Sequence, residues 1–344
     1  MRYASNAVLA KARAMYAGHI TPSEYETLIS CHTVNELLSQ LQRRKRYASS
    51  LSRATAQVTP MQAEELLRLS VYEQLATLSR YEISERNEFY RFYIAKREIA
   101  QILRYIRLLT SGRAGEYLAE LPPFFSHLTE VDLIRLAGAK SFADVLGVLE
   151  GTPYQRILKP FEPVFGEKGV YLRIEAAFHE YLYQYLFSCA KHDKANEKQM
   201  KESLSLYLDS AYVTAMYRMK KMRVGDEEVY RCYLFDKYTA FTKQQISLLN
   251  GAKDEKDFMR ALRDTTYGEA LKSLDYGESE QVMENYICEK FRKGLRFYTD
   301  PAAVMLCYMY LCENETRNII RVIEGIRYGV SPDKIRGVLT GIRS

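Results

Sequence analysis

The feature that most constrains this chain is that it repeats itself, and what repeats is helical. Asp144-Val145-Leu146-Gly147-Val148-Leu149-Glu150-Gly151-Thr152-Pro153-Tyr154 aligns without a gap on Asp257-Phe258-Met259-Arg260-Ala261-Leu262-Arg263-Asp264-Thr265-Thr266-Tyr267. The acid, the apolar positions, the threonine and the tyrosine coincide, and Leu158 and Leu271 follow four residues after each tyrosine. An N-terminal copy, from Glu36-Leu37-Leu38 through Leu41 to Tyr47 and Leu51, fits with one extra residue. A second element closes each copy. Glu98-Ile99-Ala100-Gln101-Ile102-Leu103-Arg104 runs on to Gly112, and Glu315-Thr316-Arg317-Asn318-Ile319-Ile320-Arg321 runs on to Gly329. In both, arginine lies six residues and glycine fourteen residues after the glutamate. The middle copy, aligned on its glycine from Ala211 to Gly225, lacks the glutamate and the first arginine. Self-similarity at a fixed period marks a chain built from one supersecondary unit. The reading is three units, residues 1–113, 114–226 and 227–344, the third the clearest copy and the second the most drifted.

The punctuation between apolar stretches predicts an all-α fold. Thr21-Pro22-Ser23-Glu24 is a capping box, with proline at the first helical position and a glutamate reaching back. Thr59-Pro60, Thr152-Pro153, Asp300-Pro301 and Ser331-Pro332 repeat the cap-then-proline pattern. Gly112, Gly225 and Gly329 follow periodic segments, where a helix end favours a left-handed residue. Each unit then opens with short capped helices and closes with a long one. The helix after Pro301 is expected to reach about Tyr328, roughly 40 Å at the α-helical rise. The strand-like Gly169-Val170-Tyr171-Leu172-Arg173 is too short to compete.

Composition excludes several classes. The longest uninterrupted apolar run, Val304 to Cys312, is about half of what a membrane-spanning helix needs. The opening Met1-Arg2-Tyr3-Ala4-Ser5-Asn6 has no apolar region of a signal peptide, so a soluble chain is expected. The six cysteines form no C-x-x-C pair and read as buried small hydrophobes in a reducing compartment. A net charge of +6 is mild for a nucleic-acid binder but suits a chain that works beside an acidic partner or an anionic membrane surface. The 28 tyrosines suit half-buried packing between helices, and there is no tryptophan. The basic runs Arg43-Arg44-Lys45-Arg46 and Lys220-Lys221-Met222-Arg223 read as solvated faces or helix C-terminal cations.

No catalytic constellation emerges. The seventeen glycines match neither nucleotide fingerprint, and His179-Glu180 lacks the second histidine of a zinc helix. His19, His32, His127 and His192 are isolated from any ligand cluster. Asp254-Glu255-Lys256-Asp257 sits where a helix dipole favours acids, which makes a capping role preferable to magnesium binding. No cofactor is expected. The polar series Glu98, Gln101, Arg104 and its counterpart Glu315, Asn318, Arg321 each form one slanting stripe, since residues three apart adjoin on a helix. Two readings stand for these candidate partner-interface residues: an internal salt bridge between helices, or a polar lining that accepts another protein.

The opening Tyr3, Asn6, Leu28 and Glu36-Leu37…Leu41…Tyr47, with the closing Glu315-x-x-Asn318-Ile319-x-Arg321-x-Ile323 and Tyr328-Gly329-Val330-Ser331, resembles a known family. It is similar to the C subunit of the V-type and A-type rotary ATPases, the relative of the eukaryotic d subunit, over essentially the whole chain. The resemblance implies a funnel of three similar helical domains in pseudo-threefold arrangement, without catalytic residues or cofactor. It implies a socket on the cytoplasmic face, peripheral to the membrane, that couples a central shaft to the rotor ring for proton or sodium transport. The rival readings are a free-standing helical adaptor, a helical metalloenzyme and a nucleic-acid binder.

Overall fold

A computed structural model describes residues 6–54, 58–81, 88–119, 128–190, 197–223, 239–268 and 279–342. Its helices are α1 Asn6–Tyr16, α2 Pro22–Ile29, α3 Val34–Gln42, α4 Lys45–Leu51, α5 Pro60–Ser79, α6 Glu88–Thr110, α7 Glu116–Ala119, α8 Leu133–Gly138, α9 Phe142–Val148 and α10 Pro153–Leu158. There follow α11 Val170–Ala190, α12 Glu197–Lys221, α13 Lys243–Gly251, α14 Glu255–Arg263, α15 Ser279–Phe297, α16 Pro301–Arg327 and α17 Pro332–Val338. A single 3-10 stretch among the described residues, Lys159–Val164, follows α10. The described residues contain no strand, so the fold is all-α.

The caps read from sequence open the helices expected of them. Thr21 and Thr59 form complete capping boxes with Glu24 and Gln62. Asp300 accepts from the N–H groups of Ala302 and Ala303 at the start of α16. Thr152 and Ser331 hold the N-cap position with extended backbone but make no side-chain cap bond. Asp254 caps α14 by accepting from the N–H groups of Lys256 and Asp257. Those bonds hold its carboxyl below the usual range.

The described residues form two compact units. The first takes in the described residues up to 89, those from 189 to 223 and those from 239 onward; the second takes in the described residues from 90 to 188. In the first, α16 is the axis, packed by α1, α2, α3, α5, α12, α15 and α17. Its apolar stretch from Ala303 to Cys312 is buried at every position. A helix that is apolar all round must be enclosed on all sides, and here the enclosure comes from the chain's own helices. In the second unit Tyr105, Tyr117, Phe92 and Phe178 are fully buried among α6, α7 and α11.

Close approach fixes the end of the first unit. Gly341 has φ +68, and a Cβ there would lie 2.8 Å from the Cys288 sulfur. It follows Thr340, which α16 grips from two sides. Asn318 donates to the Thr340 carbonyl (2.7 Å) and accepts from its N–H (3.1 Å), while Asn314 donates to the same carbonyl (2.9 Å).

The long helices end as read in two of three cases: Gly112 and Gly329 are left-handed, with φ +71 and +62. The third case corrects the sequence alignment. The middle copy turns at Arg223, φ +55, and Gly225 lies outside the described residues. Arg223 lies fourteen residues after Asp209, the spacing of Gly112 from Glu98 and of Gly329 from Glu315. Aligning on Gly225 therefore slipped the middle copy by two residues and hid its acid. A left-handed residue with a side chain costs about 1 kcal/mol that glycine avoids. Arg223→Gly is expected to raise stability by up to about 1 kcal/mol in urea titration.

Candidate functional site

With the register corrected, the three copies present the same construction: a buried acid in the middle of a long helix, held by a tyrosine of the next copy. Glu98 on α6 accepts from the Thr129 hydroxyl (2.7 Å), the Glu130 N–H (3.0 Å) and the Tyr154 hydroxyl. Asp209 on α12 accepts from the Thr239 hydroxyl (2.5 Å), the Ala240 N–H (3.0 Å) and the Tyr267 hydroxyl (2.5 Å). In both, the threonine oxygen also accepts the N–H two residues on, from Val131 or Phe241 at 3.0 Å. The two joints have the same bonds at corresponding positions.

The third joint departs from the other two. Glu315 on α16 accepts from the Ile20 N–H (2.9 Å) and the Tyr47 hydroxyl, closing the last copy on the first. In place of a threonine it has Arg46, whose Nη1 stands 3.2 Å from Oε1 with side chains only 8% and 7% exposed. The Arg46 Nε is buried without a hydrogen-bond partner.

Electrostatics assigns the protons. Burial, then the adjoining carboxylate, pushes the Tyr154 and Tyr267 hydroxyls far above the ordinary tyrosine range. The same causes raise Tyr47, tempered by Arg46. Burial raises the Asp209 carboxyl, and its bonds from Thr239, Tyr267 and Ala240 oppose that rise. The phenols are thus neutral donors at physiological pH and the acids receive them. A group that cannot lose its proton near neutrality serves poorly as a general base or nucleophile, so the chemistry of these joints is holding. A hydrogen bond is worth about 1 kcal/mol net, and a buried polar group left without its partner costs about 1–3 kcal/mol. Tyr154→Phe and Tyr267→Phe are each expected to cost about 1–3 kcal/mol in chemical denaturation, with helical circular dichroism unchanged.

The six candidate residues fall on these joints and beside them. Glu98, Gln101, Glu315 and Asn318 are buried; Arg104 and Arg321 are half-buried. Gln101 accepts from the Tyr117 hydroxyl at 3.1 Å. Arg321 pairs with Glu284 at 3.1 Å and reaches the Thr340 hydroxyl at 3.2 Å. Sequence reasoning finds the middle unit's pattern blurred around Asp209 without making that acid a candidate, and it places the three tyrosines as repeat markers without matching them to the acids. Of the two basic runs, Lys220 and Lys221 do lie in the last turn of α12, but the reading of both runs as solvated faces needs correction at one residue each. Arg46 is buried in the third joint, and Lys220, 4% exposed, donates to the Asn250 carbonyl at 2.7 Å. Each lies on the inward face of its helix, where a long cation finds an oxygen acceptor.

Among the described residues, fold and joints together define an all-α scaffold in which buried acids on three long helices are held by tyrosines far away along the chain. Residues 8–338 match the ATP synthase (C/AC39) subunit family. Over 337 residues the chain is 23% identical to the C subunit of the A-type ATP synthase of Thermococcus onnurineus, covering 95% of this chain and 87% of that one. To the protein of the same name from Desulfurococcus it is 24% identical over 339 residues, 95% of this chain and 88% of the relative. The chain belongs to the ATP synthase (C/AC39) subunit family. It is a non-catalytic component of an A/V-type rotary ATPase, and its partners lie within that complex. No helix among the described residues is long and apolar enough to cross a membrane.

Proposed function

We propose that the chain is the socket between the central shaft and the membrane rotor ring, on the cytoplasmic face, and that it passes rotation from one to the other. The observation that carries this reading is the family match across nearly the whole length, residues 8–338. The joints support it physically. A coupler that carries torque has to be stiff, and close-packed helices fastened by charge-assisted bonds resist deformation. In this reading the three repeats, 1–113, 114–226 and 227–344, present equivalent faces in a pseudo-threefold funnel. Of the six candidate partner-interface residues, the half-buried Arg104 and Arg321 contact a partner. Glu98, Gln101, Glu315 and Asn318 fix the helices that present them.

Affinity purification of the tagged chain from gently solubilised native membranes tests the proposal. The expected result is co-recovery of shaft and ring subunits in stoichiometric amounts, and loss of one of them with Arg104→Glu/Arg321→Glu. Recovery of the chain alone, or with soluble proteins foreign to the ATPase, would overturn the socket reading and favour a free-standing adaptor.

A further inference from the structure

The joints set a common register for the three long helices, and that register marks one face that α16 buries and α12 leaves open, as α6 does at Arg91, the counterpart of Glu202. Shifting α12 by the 106 positions between Asp209 and Glu315 places Lys198, Glu202 and Ser205 over Val304, Tyr308 and Leu311 of α16. On α16 these three are at most 5% exposed; among the helices packed on it is α5, whose Gln74 accepts from the Tyr308 hydroxyl at 2.9 Å. On α12 the same face is open: the Lys198 and Glu202 side chains are 88% and 53% exposed. Lys201, likewise exposed, takes the place of the fully buried Cys307.

The open face forms one wall of a cleft of about 690 Å³, whose other side is α15 and the turn at Tyr267. Its aromatic wall is Tyr267 and Tyr286, edge to face at 6.0 Å, with Lys290 over the Tyr286 ring at 5.3 Å. Three lysines thus surround the cleft against one glutamate, which itself stands 4.0 Å from Lys198. Lys198 and Lys201, three residues apart, share a helix face.

We propose that this cleft seats an acidic amphipathic helix of a partner protein, laid on α12 as α5 is laid on α16. The repeat supplies the kind of occupant, since at Tyr308, the counterpart of Glu202, the face of α16 lies against a helix of 20 residues. The lysines supply its charge: carboxylates three or four residues apart on the incoming helix would face Lys198, Lys201 and Lys290, with its apolar side on the tyrosine rings and Leu206. An aromatic wall without a glycine-rich turn fits such a side-chain surface better than a phosphate chain.

Two measurements test this. The first follows binding of a fluorescein-labelled peptide of about 20 residues, a Glu/Leu helix, to the full chain by anisotropy. Lys198→Glu/Lys201→Glu/Lys290→Glu is expected to weaken binding at least about tenfold, and Lys140→Glu/Lys334→Glu to leave it unchanged. Equal losses for both variants would overturn the cleft. So would displacement of the peptide by tripolyphosphate at matched charge, which would make the cleft a small-anion site. The second rests on the socket reading and uses the native complex, treated with a carbodiimide that joins amines to carboxylates and then mapped by mass spectrometry. Links from the three cleft lysines should converge on one acidic helix of one partner. Links from other lysines only, or only to Glu202, would overturn the proposal. A chain that does not purify with ATPase subunits refutes the socket before the reagent is added and leaves the peptide measurement standing.

Discussion

Arg46→Met is expected to destabilise the first unit by about 3–5 kcal/mol, because it leaves the buried Glu315 carboxylate without its cation. Among the described residues, the Ile20 N–H and the Tyr47 hydroxyl would still donate to that carboxylate. Glu315→Gln removes the same pair from the other side and leaves a guanidinium buried with an Nε that already lacks a partner. Since each single change destroys one shared interaction, the double variant Arg46→Met/Glu315→Gln should be destabilised by clearly less than the sum. Urea titration of the four proteins, read by the near-ultraviolet signal of the buried tyrosines, gives the coupling. Additive losses would show that the two side chains are buried side by side without stabilising each other.

The second large effect is expected at Asn318, whose amide makes a two-way bond with the Thr340 backbone. Asn318→Ala removes both bonds and leaves a buried N–H without its acceptor. Each net hydrogen bond is worth about 1 kcal/mol and an orphaned buried group about 1–3, so the loss should be about 2–4 kcal/mol. Hydrogen exchange locates the effect: protection should fall at Leu339, Thr340 and Gly341 before it falls in the centre of α16. Uniform loss of protection would mean that the grip is not local.

What was legible in the sequence follows from where the physics is local. The five prolines that open helices and the Thr21 capping box act within four residues, so their pattern is readable without a fold. The Val304–Cys312 run was readable as buried, although its position at the axis of the first unit was not. The repeats were legible because the joints demand the same residue types in each copy. What they were repeated for was not, because the acid and its tyrosine lie 56 residues apart in the first joint and 58 in the second. Asp209 was passed over as a candidate for a different reason. A turn that normally selects glycine is made by Arg223, and a nearby glycine drew the alignment two positions off. The charges of Arg46 and Lys220 misled because a basic run reads as surface, whereas the helix period sends some of its members inward.

The order of the joints has a cost in chain entropy. The first two bring together groups 56 and 58 residues apart, but the third brings Glu315 to Tyr47 across 268. Closing a flexible loop costs about 0.6 kcal/mol more for each doubling of its length, so the last closure carries a penalty about 1.4 kcal/mol larger than the others. That closure is the one of the three that holds a buried ion pair. In the two shorter closures a threonine hydroxyl suffices, because the intervening chain already keeps acid and tyrosine at high effective concentration. The joint that departs from the other two by a buried ion pair is thus also the one that must close the longest stretch of chain.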